Sequence, residues 1–184
     1  MGKVIAGMTI SLDGFVHDRE GSVAELYPDL ETLRDQPNLS ESIRQTGAVV
    51  MGRRAFDMGD PDDYAGNYEY QVPIFVLTHR PPAAHPRETG QLTFTFVTDG
   101  IESAVRQAKA AAGEKDVTVI GGASTIQACL RAGLVDELHI DIMPVLLGDG
   151  LRLFEHLEGE HITLEKISVT ETAARTHLQF RVLK

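Results

Sequence analysis

The segment best equipped for chemistry is Val117-Thr118-Val119-Ile120-Gly121-Gly122-Ala123-Ser124-Thr125-Ile126, an apolar strand that runs through two glycines into a helical pattern. Glycines let a backbone approach an anion, and the unbonded N–H groups at a helix start, with the positive end of its dipole, point at it. The spacing is neither G-x-G-x-x-G nor a P-loop with its lysine. On this segment alone, a phosphate cradle and a plain turn capped by Ser124 or Thr125 stand level. Two further junctions add charge. Val49-Val50-Met51-Gly52-Arg53-Arg54-Ala55-Phe56 ends a strand in glycine and two arginines, and Val76-Leu77-Thr78-His79-Arg80 ends one in a hydroxyl, an imidazole and a guanidinium. Each alone reads as solvated charge. Together they place Arg53, Arg54 and Arg80 at the carboxyl ends of strands, where open α/β sheets bind ligands. With 17 Lys+Arg against 27 Asp+Glu and net charge −10, this local positive charge fits an anionic nucleotide. A guanidinium fork suits a 2′-phosphate, which favours NADPH over NADH.

The elements that must position these residues read as one α/β unit over residues 1–184. Strands are expected at Lys3–Ile10, Ala48–Met51, Pro73–Thr78, Thr93–Thr98, Asp116–Ile120, Glu137–Met143, Ile162–Val169 and His177–Leu183. Runs such as Ile74-Phe75-Val76-Leu77 are apolar throughout, as parallel strands buried on both faces are. One helix is expected after an Asp99 cap, with Ile101, Ala104, Val105 and Ala108 as its apolar face and Gly113 as its end. A second starts after Gly122, buries Ile126, Cys129 and Leu130, and stops at Gly133. The C-terminal strands alternate apolar and polar, so the sheet is expected to be mixed, mostly parallel, with an antiparallel C-terminal edge. Thr170–Thr176 reads as the hairpin connection and Glu165-Lys166 as a bulge. Asp57–Gln71 and His79–Gln91 read as surface loops.

Composition excludes several classes. The lone Cys129 makes no intramolecular disulfide, and a reducing cytoplasm is the expected location. No apolar run reaches the roughly 18 residues of a membrane helix, and no basic cluster suits nucleic acid. The seven histidines show no H-x-x-x-H or H-E-x-x-H spacing, so no metal site is expected. No serine lies in a G-x-S-x-G context.

Five motifs in order, Ile10-Ser11-Leu12-Asp13-Gly14-Phe15-Val16, Met51–Phe56, Val76–Arg80, Val119–Ala123 and Pro144-Val145-Leu146-Leu147-Gly148-Asp149-Gly150, resemble the dihydrofolate reductase superfamily. The chain is most similar to the branch containing the C-terminal reductase domain of the bifunctional riboflavin-biosynthesis deaminase/reductase. The resemblance implies a three-layer sandwich with about eight strands and helices on both faces. It also implies that Gly52, Arg53, Arg54, Thr78, His79 and Arg80 hold the adenosine end and 2′-phosphate of NADPH, with Thr98 and Asp99 near the adenine. Gly121, Gly122, Ala123, Ser124 and Thr125 would cradle the pyrophosphate, with the Gly121–Gly122 bond often cis in this superfamily. Thr9, Ser11 and Val16 would flank the nicotinamide. Asp13 would face the substrate as a polar contact or proton relay, and Leu147 and Gly148 would close one wall. Asp13 also suits a plain Asp-Gly turn, and the two readings are compatible.

The zinc-deaminase signature H-x-E with P-C-x-x-C is missing from this chain, which excludes deamination by it. Asp29 sits where folate reduction would need an acid, but the following Asp35–Ser40 departs from the folate enzymes, and Asp29 is read instead as capping or decorating a helix. Substrate walls are expected from Leu26–Ser42 and Tyr64–Tyr70. The expectation is an NADPH-dependent oxidoreductase for a small heterocyclic or carbonyl-containing substrate, pyrimidine- or pterin-like, forming a homodimer. The rival is a non-catalytic nucleotide-binding scaffold that keeps the cradle, since function lives in the site rather than the fold.

Overall fold

The computed structural model describes residues 2–33, 35–157 and 161–184. From the N-terminus the chain forms β1 (Val4–Ser11), β2 (Phe15–His17), α1 (Leu30–Leu33), α2 (Pro37–Gln45), β3 (Thr46–Gly52), α3 (Arg53–Phe56) and α4 (Tyr64–Asn67). It continues through β4 (Ile74–Leu77), β5 (Phe94–Val97), α5 (Ile101–Ala112), β6 (Asp116–Ile120), α6 (Ala123–Arg131), β7 (Glu137–Met143), β8 (Leu151–Arg152), β9 (Leu164–Glu171) and β10 (Thr176–Val182). Short 3-10 turns occupy Ala24–Leu26 and Pro61–Asp63.

Eight strands form one sheet in the order β5-β4-β3-β6-β1-β7-β10-β9. Those from β5 to β7 are parallel, and β10 and β9 extend the sheet antiparallel. Strand alternation explains the uninterrupted apolar runs. Ala48 and Val50 of β3 pack with Ala104, Val105, Ala108 and Ile126 of α5 and α6 on one side. Val49 and Met51 point the other way, to Phe56, Tyr64, Tyr70, Ile74 and Phe94. This is the mixed, mostly parallel sheet and dihydrofolate reductase-like architecture that the sequence predicts. Because β1, β3, β4, β5 and β6 run parallel, the glycines and arginines that follow them gather at one end of the sheet.

Several local expectations need correction. Gly100, with φ of 107°, is the N-cap of α5 and no side chain caps it, so Asp99 is not the cap. Gly122 holds the same place on α6, again without a side-chain cap, which removes Ser124 and Thr125 from that role. The polar Asp57–Gln71 stretch is not simply a surface loop, because Tyr64 and Tyr70 are buried in it. Their rings enter the core while their hydroxyls stay bonded, Tyr64 donating to the Phe56 carbonyl at 3.1 Å and Tyr70 meeting Ser42 Oγ at 2.9 Å. The bulge lies at Ile167 rather than Glu165-Lys166, since Gln179 faces Ser168 and Phe180 faces Lys166. A two-stranded sheet, β2 with β8, was not anticipated.

Candidate cofactor and substrate site

The phosphate cradle is built where β6 ends. The Gly121–Gly122 peptide is cis, and Gly121 has φ of 56°, in the left-handed region glycine favours. The first helical bonds of α6 run from Thr125 and Ile126 back to the Gly122 carbonyl, at 3.0 and 3.2 Å. The N–H groups of the preceding turn therefore have no acceptor within the helix. A Cβ at Gly122 would meet nothing within 4 Å, and Ser124 of the same turn is exposed. Gly52 is required differently: a Cβ there would sit 2.5 Å from Thr125 Oγ1, because the end of β3 presses on the start of α6. The Gly52 N–H donates to the Gly121 carbonyl at 2.8 Å, tying the two junctions together. This donor set fits the pyrophosphate of a dinucleotide.

The three arginines are not equivalent. Arg53 grips both Asp57 oxygens through Nε at 2.9 and 2.8 Å and donates from Nη1 to the Arg80 carbonyl at 2.8 Å. It braces the loop that carries Arg80. The exposed side chains of Arg54 and Arg80 form no ion pair among the described residues. Thr78 is buried and its hydroxyl donates to the Arg80 carbonyl at 2.9 Å, while His79, Thr98 and Asp99 are exposed at neighbouring strand ends. Arg54, in α3 just after β3, and Arg80, just after β4, thus each present an exposed guanidinium.

At the end of β1, Ser11 Oγ donates to Asp13 Oδ1 at 2.6 Å and accepts from the Phe15 N–H at 2.9 Å. Asp13 also accepts from the N–H groups of Leu147 at 3.1 Å and Gly148 at 2.8 Å, so its carboxylate pins the 144–150 loop to the β1–β2 turn. The Ser11 hydroxyl, then the Gly148 and Leu147 amides, hold the Asp13 carboxyl at about 2. The carboxylate is thus an ionised anchor for the 144–150 loop, bonded at both oxygens. Arg152 reinforces the turn by donating to the Asp13 carbonyl at 2.9 Å and lying 4.3 Å above the Phe15 ring. Val16 is buried beneath. Beside the loop a cleft of about 450 Å³ is lined by Val145, Leu146 and Leu147 and by four carboxylates, Asp18, Glu20, Glu25 and Asp149, against the single cation Arg19, a poor match for an anionic nucleotide.

Sequence reasoning missed a polar cluster beside Thr9. The fully buried Arg175 side chain, from the β9–β10 connection, donates from Nε to Asp29 at 2.9 Å and from Nη2 to the other Asp29 oxygen and, at 3.3 Å, to the Leu26 carbonyl. Its Nη1 serves Thr9 Oγ1 at 3.1 Å and Asp141 at 3.3 Å. Asp141 in turn accepts from His177 Nδ1 at 2.6 Å, and the buried His177 Nε2 has no partner among the described residues. The guanidinium holds the Asp29 carboxyl below the usual carboxylate range, and burial pushes Tyr27 up. Asp29 does cap α1 through its carbonyl, which accepts from Thr32 and Leu33, but its carboxylate serves Arg175. The two expected substrate walls do meet, through the Ser42–Tyr70 contact.

The RibD C-terminal domain model matches residues 2–178. The chain belongs to the RibD C-terminal domain family. Among curated relatives, YyaP of Bacillus subtilis (strain 168) is 28% identical over 165 residues, covering 83% of this chain and 80% of YyaP. A putative riboflavin biosynthesis protein from Shewanella sp. PV-4 superposes with TM-score 0.74 at 24% identity over 99% of both chains. Enterococcus faecalis dihydrofolate reductase, solved with NADP(H), superposes with TM-score 0.60 at 15% identity, covering 100% of this chain and 98% of that one. These likenesses establish the shared fold, and family membership supports a reductase-like protein related to riboflavin biosynthesis.

Proposed function

We propose that this member of the RibD C-terminal family is an NADPH-dependent reductase acting on a small heterocyclic or carbonyl-containing substrate, of the pyrimidine or pterin kind. The observation that carries the reading is the Gly121-Gly122 turn into α6, whose first N–H groups have no acceptor within the helix, with Arg54 and Arg80 exposed just beyond β3 and β4 and free of ion pairs among the described residues. The match over residues 2–178 supports reading the chain as one reductase-type domain. NADPH, when bound, supplies the hydride, and the protein supplies binding and orientation. Gly122, Ala123 and Ser124 would present backbone N–H groups to the pyrophosphate. Arg54 and Arg80 would take the 2′-phosphate, braced by Arg53, with His79, Thr98 and Asp99 beside the adenosine. Thr9, Ser11 and Val16 would line the nicotinamide side. Asp13 would fix the Leu147–Gly148 wall against the substrate and, as a carboxylate, would not give up a proton.

Thermal unfolding with NADPH, NADH or neither tests the cofactor. Ligand at 100 times its dissociation constant adds about 2.7 kcal/mol, a readable rise in Tm. Replacing Arg80 or Arg54 by Ala is expected to cut the preference for NADPH over NADH by about tenfold, the scale of one charge-assisted hydrogen bond. No rise with either nucleotide overturns the reading. Oxidation of NADPH followed at 340 nm with pterins, flavins and ribosylaminopyrimidines then tests turnover, and binding without oxidation of any acceptor would return the scaffold reading.

A further inference from the structure

Tyr27 follows the 3-10 turn Ala24–Leu26, on a stretch where neither α1 nor α2 buries a residue among those described. Leu26, fully buried, anchors the chain just before it. The Tyr27 N–H donates to the Ala24 carbonyl at 3.2 Å, and its carbonyl accepts from the Leu30 N–H at 3.3 Å. The Arg175 guanidinium grips the chain on both sides of the residue, at the Leu26 carbonyl and at the Asp29 carboxylate. Its central carbon lies 5.6 Å from the centre of the Tyr27 ring. One buried cation therefore sets the position of a half-buried phenol.

The Tyr27 and Thr9 hydroxyls share a hydrogen bond. Thr9 Oγ1 already accepts from Arg175 Nη1 at 3.1 Å, so its own proton is free to go to the Tyr27 oxygen. That arrangement leaves the Tyr27 O–H to donate to a third group. Burial pushes the Tyr27 hydroxyl up, so it holds its proton at neutral pH, while Thr9 and the Arg175 charge pull the other way and steady the phenolate once the proton has left. A neutral acid with a stabilised conjugate base suits the atom that gains charge when its neighbour accepts a hydride.

We propose that Tyr27 is the proton donor of the reductase reaction. The proposal rests on the reading that Thr9 lines the nicotinamide side. As the hydride forms the new C–H bond at the unsaturated carbon of the substrate, the π pair moves to its oxygen or nitrogen, which takes the proton from Tyr27 Oη. The phenolate left behind is faced by Thr9 and Arg175 and is reprotonated from solvent. Each substrate thus gains one hydride from NADPH and one proton from water. Arg175 is a positioning residue in this scheme, and Asp29 is its hold on the chain that carries the phenol.

Nuclear Overhauser contacts between the nicotinamide protons of bound NADPH and the Tyr27 ring, in protein protonated only at its tyrosines, read the placement without any variant. Nucleotide that binds without such contacts overturns the proposal. The chemistry is read with the pterins, flavins and ribosylaminopyrimidines of the 340 nm assay. Tyr27→Phe removes one oxygen atom and is expected to lower kcat by about a hundredfold or more while the KM for NADPH stays within about twofold. The ratio of wild-type to variant kcat is expected to grow as pH rises, because the variant must draw its proton from solvent. The groups that face Tyr27 are Arg175, Asp29 and Asp141, with Tyr68 nearby and His177 behind Asp141, and their titration is common to both proteins and cancels in the ratio. A merely structural tyrosine gives a ratio independent of pH, which overturns the proposal, as does a Tyr27→Phe enzyme of wild-type rate. Neither result touches the reductase reading. No nucleotide binding, or no turnover of any acceptor, refutes that reading and the proton donor with it.

Discussion

Asp13 spends both carboxylate oxygens on holding two segments together, and that sets its behaviour. Its folded-state value of about 2 lies below the ordinary 3.8, so its stabilising contribution is complete above about pH 4 and is lost as pH falls through 2. The amide resonances of Leu147 and Gly148 are expected to report that titration with a midpoint near 2, and a midpoint near 4 would mean that the carboxylate is not bonded to them. Asp13→Ala frees the loop without touching the cradle. It is expected to raise KM for the substrate about tenfold, roughly 1.4 kcal/mol of lost positioning, while NADPH affinity changes less than twofold. A fall in kcat with KM unchanged would instead give Asp13 a role in the chemical step. The Arg175 cluster shows why one residue can escape a sequence reading: its partners Asp29, Thr9 and Asp141 lie 146, 166 and 34 positions away. Nothing local to Ala173-Ala174-Arg175-Thr176 distinguishes that arginine from a solvated one.

At the scale of elements, the junction of β3 with α6 couples the two glycine turns. Gly52→Ala puts a methyl group 2.5 Å from Thr125 Oγ1, an overpacking expected to cost about 1–3 kcal/mol and to lower Tm by several degrees. Adding Thr125→Ala removes the atom in the way, so the double variant should recover most of the loss. A double variant that merely sums the two single effects would show that the contact does not govern the junction. Parallel strands such as β4 were legible in the sequence because burial on both faces leaves no polar residue to blur them, and β6 and the alternating β7 fall at the predicted Asp116–Ile120 and Glu137–Met143. The β2–β8 pair was not legible, since strands of three and two residues carry no periodicity. The Asp57–Gln71 stretch misled by composition: its Asp, Gly and Pro residues mark turns, and only the packed structure shows Tyr64 stacked on Phe56 with centroids 5.5 Å apart. The Asp99 cap failed for a backbone reason, the positive φ of Gly100.

At the scale of the molecule, the sheet outruns its helices. Leu178, Phe180 and Val182 of β10 are only partly buried against the α5–α6 core, and Val169 of β9, which pairs with Leu178, is 52% exposed. An apolar face that continues from the core into solvent suits a second copy of the chain better than an edge-to-edge pairing, because the β9 edge carries a bulge and the charges of Glu165, Lys166 and Glu171. Each copy brings a net charge of −10, so the two repel until salt screens them. Sedimentation equilibrium is expected to find a homodimer that tightens as ionic strength rises toward 0.5 M. Val169→Lys puts a charge in the middle of that face and is expected to leave a monomer of unchanged Tm at low protein concentration, since the residue contributes little to the fold of one copy. Association through ion pairs would respond oppositely to salt, and a dimer surviving Val169→Lys would move the interface away from β9 and β10.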